Sequence, residues 1–268
     1  MRVLIGNSAS QVAKIAAENV LAGLTAHGSG NTPVLGLATG SSPLGLYREL
    51  AQAVREGKAD FSAARGFALD EYIGIRATHQ QSYRQTLISE VCNVIGLPEH
   101  FLFTPQGLGE TIEEIEAAAA NYDQAIAAAG GIQVQILGIG ANGHLGFNEP
   151  GSALRSRTRI KRLAAKTRQD NARFFEGLER VPTHCVTQGL GTILEAGRLV
   201  LVATGAGKAE AIAAAVEGPL SASCPGSVLQ LHPDAVVVLD EAAATGLKLR
   251  DYYDDAAAGL SNMQLHLD

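Results

Sequence analysis

The sequence predicts an α/β chain: an open, mostly parallel sheet with helices on both faces, in a single domain spanning 1–268. Three observations carry this. Short apolar runs alternate with stretches of helical spacing along the chain, the pattern of strand–helix–strand units. Runs such as Val34 to Ala38 and Ala235 to Leu239 are continuously apolar, as strands buried on both faces are. No linker rich in Pro, Gly or Ser is long enough to mark a second domain.

In chain order, Val3 to Ile5 reads as an edge strand, and Ser10 to Leu24 as a helix with Val12, Ile15, Ala16, Val20 and Leu24 on one face. Gly28 to Pro33 is a turn cluster. Val34 to Ala38 is a buried strand, followed by Thr39 to Pro43 (TGSSP) and a helix from Leu44 to about Glu56. Phe67 to Leu69 is a third strand, closed by Asp70 and Glu71. The segment His79 to Tyr83 (HQQSY) opens a helix that runs to Ile95 and stops at Gly96 to Pro98 (GLP). Thr111 to Ala129 is a long alanine-rich helix. Val134 to Ile139 is a buried strand, and Gly143, Gly146 and Pro150 keep the next stretch from being helical. Ser156 to Phe175 is basic and amphipathic, and reads either as a solvated surface helix or as a segment whose arginines bind an anion. Thr187 to Ala196 is a helix, Leu199 to Ala203 a strand, Ala209 to Val216 a helix and Ala235 to Leu239 the last strand. The polar tail offers no motif.

Composition narrows the function. Hydrophobic residues make up 46% of 268 residues, enough for a large core. The formal net charge is −6 with no basic block interleaved with aromatics, which argues against a nucleic-acid partner. No apolar run is long enough to cross a bilayer, and the first residues lack the shape of a cleavable signal. Cys92, Cys185 and Cys224 are widely spaced and form no CxxC pair, so they read as reduced, buried thiols of a cytoplasmic protein. The histidines fall at no metal-binding spacing, and no metal or cofactor is expected.

Chemistry concentrates after Ile139. Asn142, His144, Asn148 and Glu149 share one short loop at the carboxyl end of a buried strand, where open α/β sheets place ligands. An imidazole and a carboxylate held together can act as a coupled acid/base pair. Gly138 to Gly143 matches GxGxxG, but a broken loop follows where a dinucleotide site needs a helix, and the region near Arg159 is basic where it needs an acid. Thr39, Gly40, Ser41 and Ser42 suit an anion at a helix start, or simply cap that helix. Gly205 to Lys208 resembles part of a P-loop but has Val202 and Ala209 where that loop has glycine and a hydroxyl. Lys208 can still meet a simple phosphate monoester. The two similar strand-to-helix turns, at Ala38 and Ala203, are either a topological accident or two walls of one anion site. Asp70 and Glu71 end a buried strand, costly for carboxylates unless they are paired, capping or functional.

Three segments together resemble the glucosamine-6-phosphate deaminase (isomerase) family: LATGSSPLGLY from Leu37, LDEYIGI with HQQSY from Leu69, and LGIGANGHLGFNEPG from Leu137. SRTRIKRL, TRQDNARFF, GKAEAIAAAVEG and LQLHP are similar to later segments of the family, so the resemblance covers nearly the whole chain. Related 6-phosphogluconolactonases share the fold and a GxGxDGH loop, but Phe147 to Pro150 (FNEP) points to the deaminase branch.

The resemblance implies a Rossmann-like fold and a cofactor-free reaction, a hydrolase and isomerase step on an amino-sugar phosphate: D-glucosamine 6-phosphate to D-fructose 6-phosphate and ammonia. Asp70 would move the C2 proton to C1, His144 would serve ring opening, and Glu149 and Asn142 would orient His144. Thr39 to Ser42, Lys208 and Arg173 would hold the phosphate, with residues around 156–180 as a mobile lid. Many members carry aspartate where this chain has Asn142. The family includes monomers and homo-oligomers, hexamers among them. Some hexamers carry an allosteric site between subunits, and the resemblance implies that Ser152, Arg159 and Lys161 could serve such a site. Against this stand lactone hydrolysis and a non-catalytic sugar-phosphate sensor. The sensor reading calls for an appended DNA-binding segment or a lost acid/base group, and Asp70, His144 and Glu149 are all present.

Overall fold

Among the described residues, seven strands lie in one wholly parallel sheet, and three more form a small antiparallel sheet beside it. The computed structural model describes residues 1–28 and 32–259, so the middle of the Gly28–Pro33 turn and the end of the polar tail lie outside the described residues. The strands are β1 (Arg2–Gly6), β2 (Val34–Leu37), β3 (Arg65–Ala68), β4 (Asp70–Tyr72), β5 (Leu102–Phe103), β6 (Val134–Leu137), β7 (Arg159–Arg162), β8 (His184–Thr187), β9 (Arg198–Ala203) and β10 (Ala235–Asp240). The large sheet has the order β1-β10-β9-β6-β2-β3-β5.

That order fixes where a ligand can sit. From β2 the chain steps outward to β3 and β5, then returns to lay β6 on the other side of β2, and continues through β9 to β10. The direction reverses between β2 and β6, and such a switch point opens a crevice at the carboxyl ends of the strands. Right-handed crossovers put Ala9–Gly28 and Leu44–Arg55 on one face, where they pack on each other. The leftward crossovers put Ile112–Ala128 and Ala209–Val216 on the other. The strands between are sealed: every residue of β2 and β6 and all of β9 after Arg198 is buried. Each such Leu or Val removed from water contributes about 1.5–3 kcal/mol.

The small sheet, order β4-β8-β7, corrects the sequence reading in three places. Asp70 and Glu71 do not close the third strand; β3 stops at Ala68 and they begin β4, paired with Thr187 and Val186 of β8. Ser156 to Phe175 is not one helix, because Arg159–Arg162 is an edge strand, α-helix runs from Ala165 to Asn171 and a 3-10 turn follows over Ala172–Phe174. Helix after Thr187 begins at Leu190, since Thr187 ends β8. The cause is packing at long range. Val186 and Ile160 face Ile115 and Ala119 of the helix Ile112–Ala128, and on the opposite face Cys185 and Tyr72 pack with Phe147 and Leu163. Charged Arg159, Lys161 and Arg162 suit an exposed edge. Cys92 and Cys185 are buried free thiols, while Cys224 is only half-buried. No described helix is long and apolar enough to cross a membrane.

Candidate active site

The loops that follow β2, β6 and β9, three neighbours in the sheet, meet around a cavity of about 290 Å³. Thr39, Gly40, Ser41 and Ser42 line it after β2, His144 after β6 and Lys208 after β9. Asp70 enters from β4 and Arg173 from beyond the helix Ala165–Asn171. The two similar strand-to-helix turns are therefore two walls of one site.

Each wall is held by identifiable contacts. Ala38 N–H donates to the Tyr47 hydroxyl at 3.1 Å and that hydroxyl donates to Ala38 O at 2.9 Å, fixing the end of β2 against the helix Leu44–Arg55. Pro43 stands at the cap of this helix with no side-chain cap, so the hydroxyls of Thr39, Ser41 and Ser42 are not spent on capping. Gly40 has φ +97°, a conformation in which glycine is favoured. Lys208 Nζ donates to Ile139 O at 2.7 Å, bridging the turn after β9 to the end of β6. Burial lowers the pKa of Lys208, and the charge of Asp170, which lines the same cavity, partly opposes that shift.

Asp70 and Glu71 part company because alternate residues of a strand face opposite sides. Glu71 accepts from the backbone N–H groups of Tyr72 (2.9 Å), Tyr83 (3.0 Å) and Arg84 (3.0 Å), so it closes the start of the helix Tyr83–Leu87, where Ser82 is the cap. Asp70 faces the cavity, and among the described residues no donor reaches its carboxylate. Burial, and then the Glu71 charge, push its pKa up to about 8. Gly146 lies against it; a Cβ there would sit 3.3 Å from Asp70 Oδ2 and 2.9 Å from Thr187 Oγ1.

His144 is held by the other two polar residues of its loop. Its Nδ1 lies 2.7 Å from Asn142 Oδ1 and 3.5 Å from Glu149 Oε2. Asn142 Nδ2 donates to Glu149 Oε2 at 2.8 Å, which fixes the amide with its oxygen toward the histidine. Two acceptors facing Nδ1 place the proton there and leave Nε2 as the acceptor. Burial works against the Glu149 charge, but hydrogen bonds from His144, Thr167 and Asn142 outweigh it and hold the pKa down at about 2. A Cβ at Gly140 would overlap the imidazole ring. Gly140 thus makes room for the histidine, while Gly143, at φ +83°, lies against Cys224.

Eight predicted residues line the cavity, and Asn142 and Glu149 stand behind His144. Ser152, Arg159 and Lys161 are not brought to it. Ser152 Oγ donates to Glu149 O at 2.7 Å, Arg159 donates to Asn148 Oδ1 at 2.9 Å, and Lys161 lies on β7. Sequence reasoning missed Tyr83, Thr167, Asp170 and Asn171 in the lining. The last three had a signal: at i, i+3 and i+4 they share one helix face. An unpaired buried carboxylate, an oriented histidine and a hydroxyl- and cation-lined rim suit proton transfer on a small phosphorylated molecule.

Comparison with known proteins agrees with this geometry. The family model described as glucosamine-6-phosphate isomerases/6-phosphogluconolactonase matches residues 7–238. Glucosamine-6-phosphate deaminases of Cutibacterium acnes and Rhodococcus opacus are 53% and 54% identical over 253 residues, each alignment covering 94% of this chain and 95% of the relative. A solved structure of a monomeric glucosamine-6-phosphate deaminase superposes with a TM-score of 0.84 at 35% identity, covering 92% of this chain and all of that one. The 6-phosphogluconolactonase of Trypanosoma cruzi shares the fold at a TM-score of 0.71 with 18% identity. By sequence and fold alike, the chain belongs to the family of glucosamine-6-phosphate isomerases and 6-phosphogluconolactonases.

Proposed function

We propose that the protein is a glucosamine-6-phosphate deaminase, converting D-glucosamine 6-phosphate and water to D-fructose 6-phosphate and ammonia. The observation that carries this is the pairing, in one cavity, of an unpartnered Asp70 carboxylate with an oriented His144. The phosphate would lie among the Thr39–Ser42 segment, Lys208 and Arg173, where hydroxyls, backbone and cations favour an anion.

The steps follow from the groups in reach. His144 Nε2 takes the proton of the anomeric hydroxyl and passes it to the ring oxygen, opening the ring to the aldehyde. Asn142 and Glu149 steady the imidazolium that forms between. The aldehyde acidifies C2–H, and Asp70 takes that proton while the carbonyl oxygen gains one from the ammonium group at C2, giving a neutral enolamine. Returning the Asp70 proton at C1 leaves a protonated imine at C2, which water hydrolyses to the ketone and ammonia, released as ammonium. Water enters only at this last stage, so the chemistry is isomerisation first and hydrolytic deamination second.

Residues beyond Leu163 would act as the lid. Arg159–Arg162 is tied into the small sheet, which limits the movable part to the stretch carrying Thr167, Asp170, Asn171 and Arg173. Closure would exclude water from the enolamine. The substrate assignment is tested by offering glucosamine 6-phosphate and 6-phosphogluconolactone side by side, without added metal. Ammonium from the first and no acceleration of hydrolysis of the second is the expected result; the reverse would move the protein to the lactonase branch.

A further inference from the structure

Glu149 is gripped from two directions. Its Oε2 faces the loop partners, Asn142 at 2.8 Å and His144 at 3.5 Å. Its Oε1 faces the lid: Thr167 Oγ1 donates to it at 2.5 Å, and Ala164 N–H approaches at 3.4 Å. Thr167 is 7% exposed and lies on the helix Ala165–Asn171, one turn from Asn171, which also lines the cavity. The rest of the lid is attached by few polar contacts. Asn171 Nδ2 donates to the Tyr72 hydroxyl at 3.0 Å, and Arg168 reaches the carbonyl of Leu178 within the lid and that of Val181 just past its end. Phe174 is 51% exposed.

We propose that Thr167 is a positioning residue: its hydroxyl ties Glu149 to the lid helix, so the His144–Asn142–Glu149 relay is in order only while that helix lies across the cavity. This rests on the deaminase reading above. Ring opening would thereby depend on lid position, because a lid swung outward takes the donor from Oε1 and frees the carboxylate to turn away from His144. The titratable groups around this contact are His144 on the same loop, Cys185 on β8, Asp70 on β4, Asp170 and Arg173 on the lid, and Lys208 across the cavity. Of these only His144 hydrogen-bonds to Glu149, so the Thr167 hydroxyl has no charged substitute at Oε1.

The test compares Thr167→Val, which keeps the shape and loses the hydroxyl, with Thr167→Ser, which keeps the hydroxyl. Glucosamine 6-phosphate is the substrate and ammonium the readout. For Thr167→Val the expected result is a fall in kcat of about tenfold with KM changed less than about twofold. The acidic limb of kcat should also move toward neutral pH, since Glu149 loses a donor that holds its charge. Thr167→Ser should restore both. Thr167→Ala carries the same expectation as Val and replaces it if the Val variant does not fold. Wild-type kcat and profile in the Val or Ala variant, or a loss that Ser leaves uncorrected, would overturn the proposal. An inactive wild-type protein would instead overturn the deaminase reading.

Discussion

Asp70 and Glu71 are adjacent carboxylates with opposite fates, and strand alternation decides which is which. Glu71 is spent on three backbone N–H groups; Asp70 is left with a cavity in front of it and no donor. The cost of burying Asp70 appears in its proton affinity. Its pKa is about 8 in the fold against 3.8 as a free side chain, so between those values the folded protein holds the extra proton. Stability should therefore fall as pH rises through that window. Asp70→Asn removes this dependence, and thermal melts should place the variant above wild type at pH 9, by on the order of a few kcal/mol. For the same reason kcat/KM should climb with pH up to about 8, where Asp70 becomes free to take a proton. A rate profile flat from pH 6 to 9 (roughly two units below to one above that value) would contradict the assignment.

Asn142 is held between His144 and Glu149. Its amide accepts from His144 and donates to Glu149, a one-way arrangement that a carboxylate cannot reproduce. Asn142→Asp would set a second carboxylate 2.8 Å from Glu149. The pair would then share a proton, and the acidic limb of activity should move upward. An unchanged pH profile would contradict a proton shared at this position.

Among the elements, β2, β3, β6, β9 and β10 were legible as apolar runs buried within the sheet, β1 as an edge strand and the helices by their repeat of 3.6, whereas the two-residue β5 was not legible. The small sheet was not, because β4 has three residues and β7 and β8 have four each. So few residues cannot display a period, and their partners lie far off in sequence, Asp70 with Thr187 and Arg159 with Thr187. The lid helix shows what that omission hid. Asp170 lines the cavity beside Lys208 and pairs with Lys166 at 2.8 Å, an acidic group facing the place proposed for a phosphate. Asp170→Asn should lower KM for the sugar phosphate by about two- to fivefold, the size of one partly exposed charge, with kcat little changed. A higher KM would mean that Asp170 holds the lid rather than opposes the substrate.

For the whole molecule, the sheet order does what no single motif could. Reversal between β2 and β6 brings together loops from Thr39, Asn142 and Lys208, and the small sheet inserts Asp70 beside them. Those motifs were readable one by one. Their convergence was implied only by the family resemblance, since from the residues alone it depends on which strand lies next to which. Catalysis therefore requires the cavity to work as one unit with Asp70 as its base. The most direct measurement is formation of ammonium and fructose 6-phosphate from glucosamine 6-phosphate by wild type and Asp70→Asn together, with substrate binding followed by calorimetry. Equal amounts of both products from wild type, and a loss of at least about a thousandfold in the variant with binding retained, is the predicted result. An Asp70→Asn protein that turns over at a rate near wild type would contradict it.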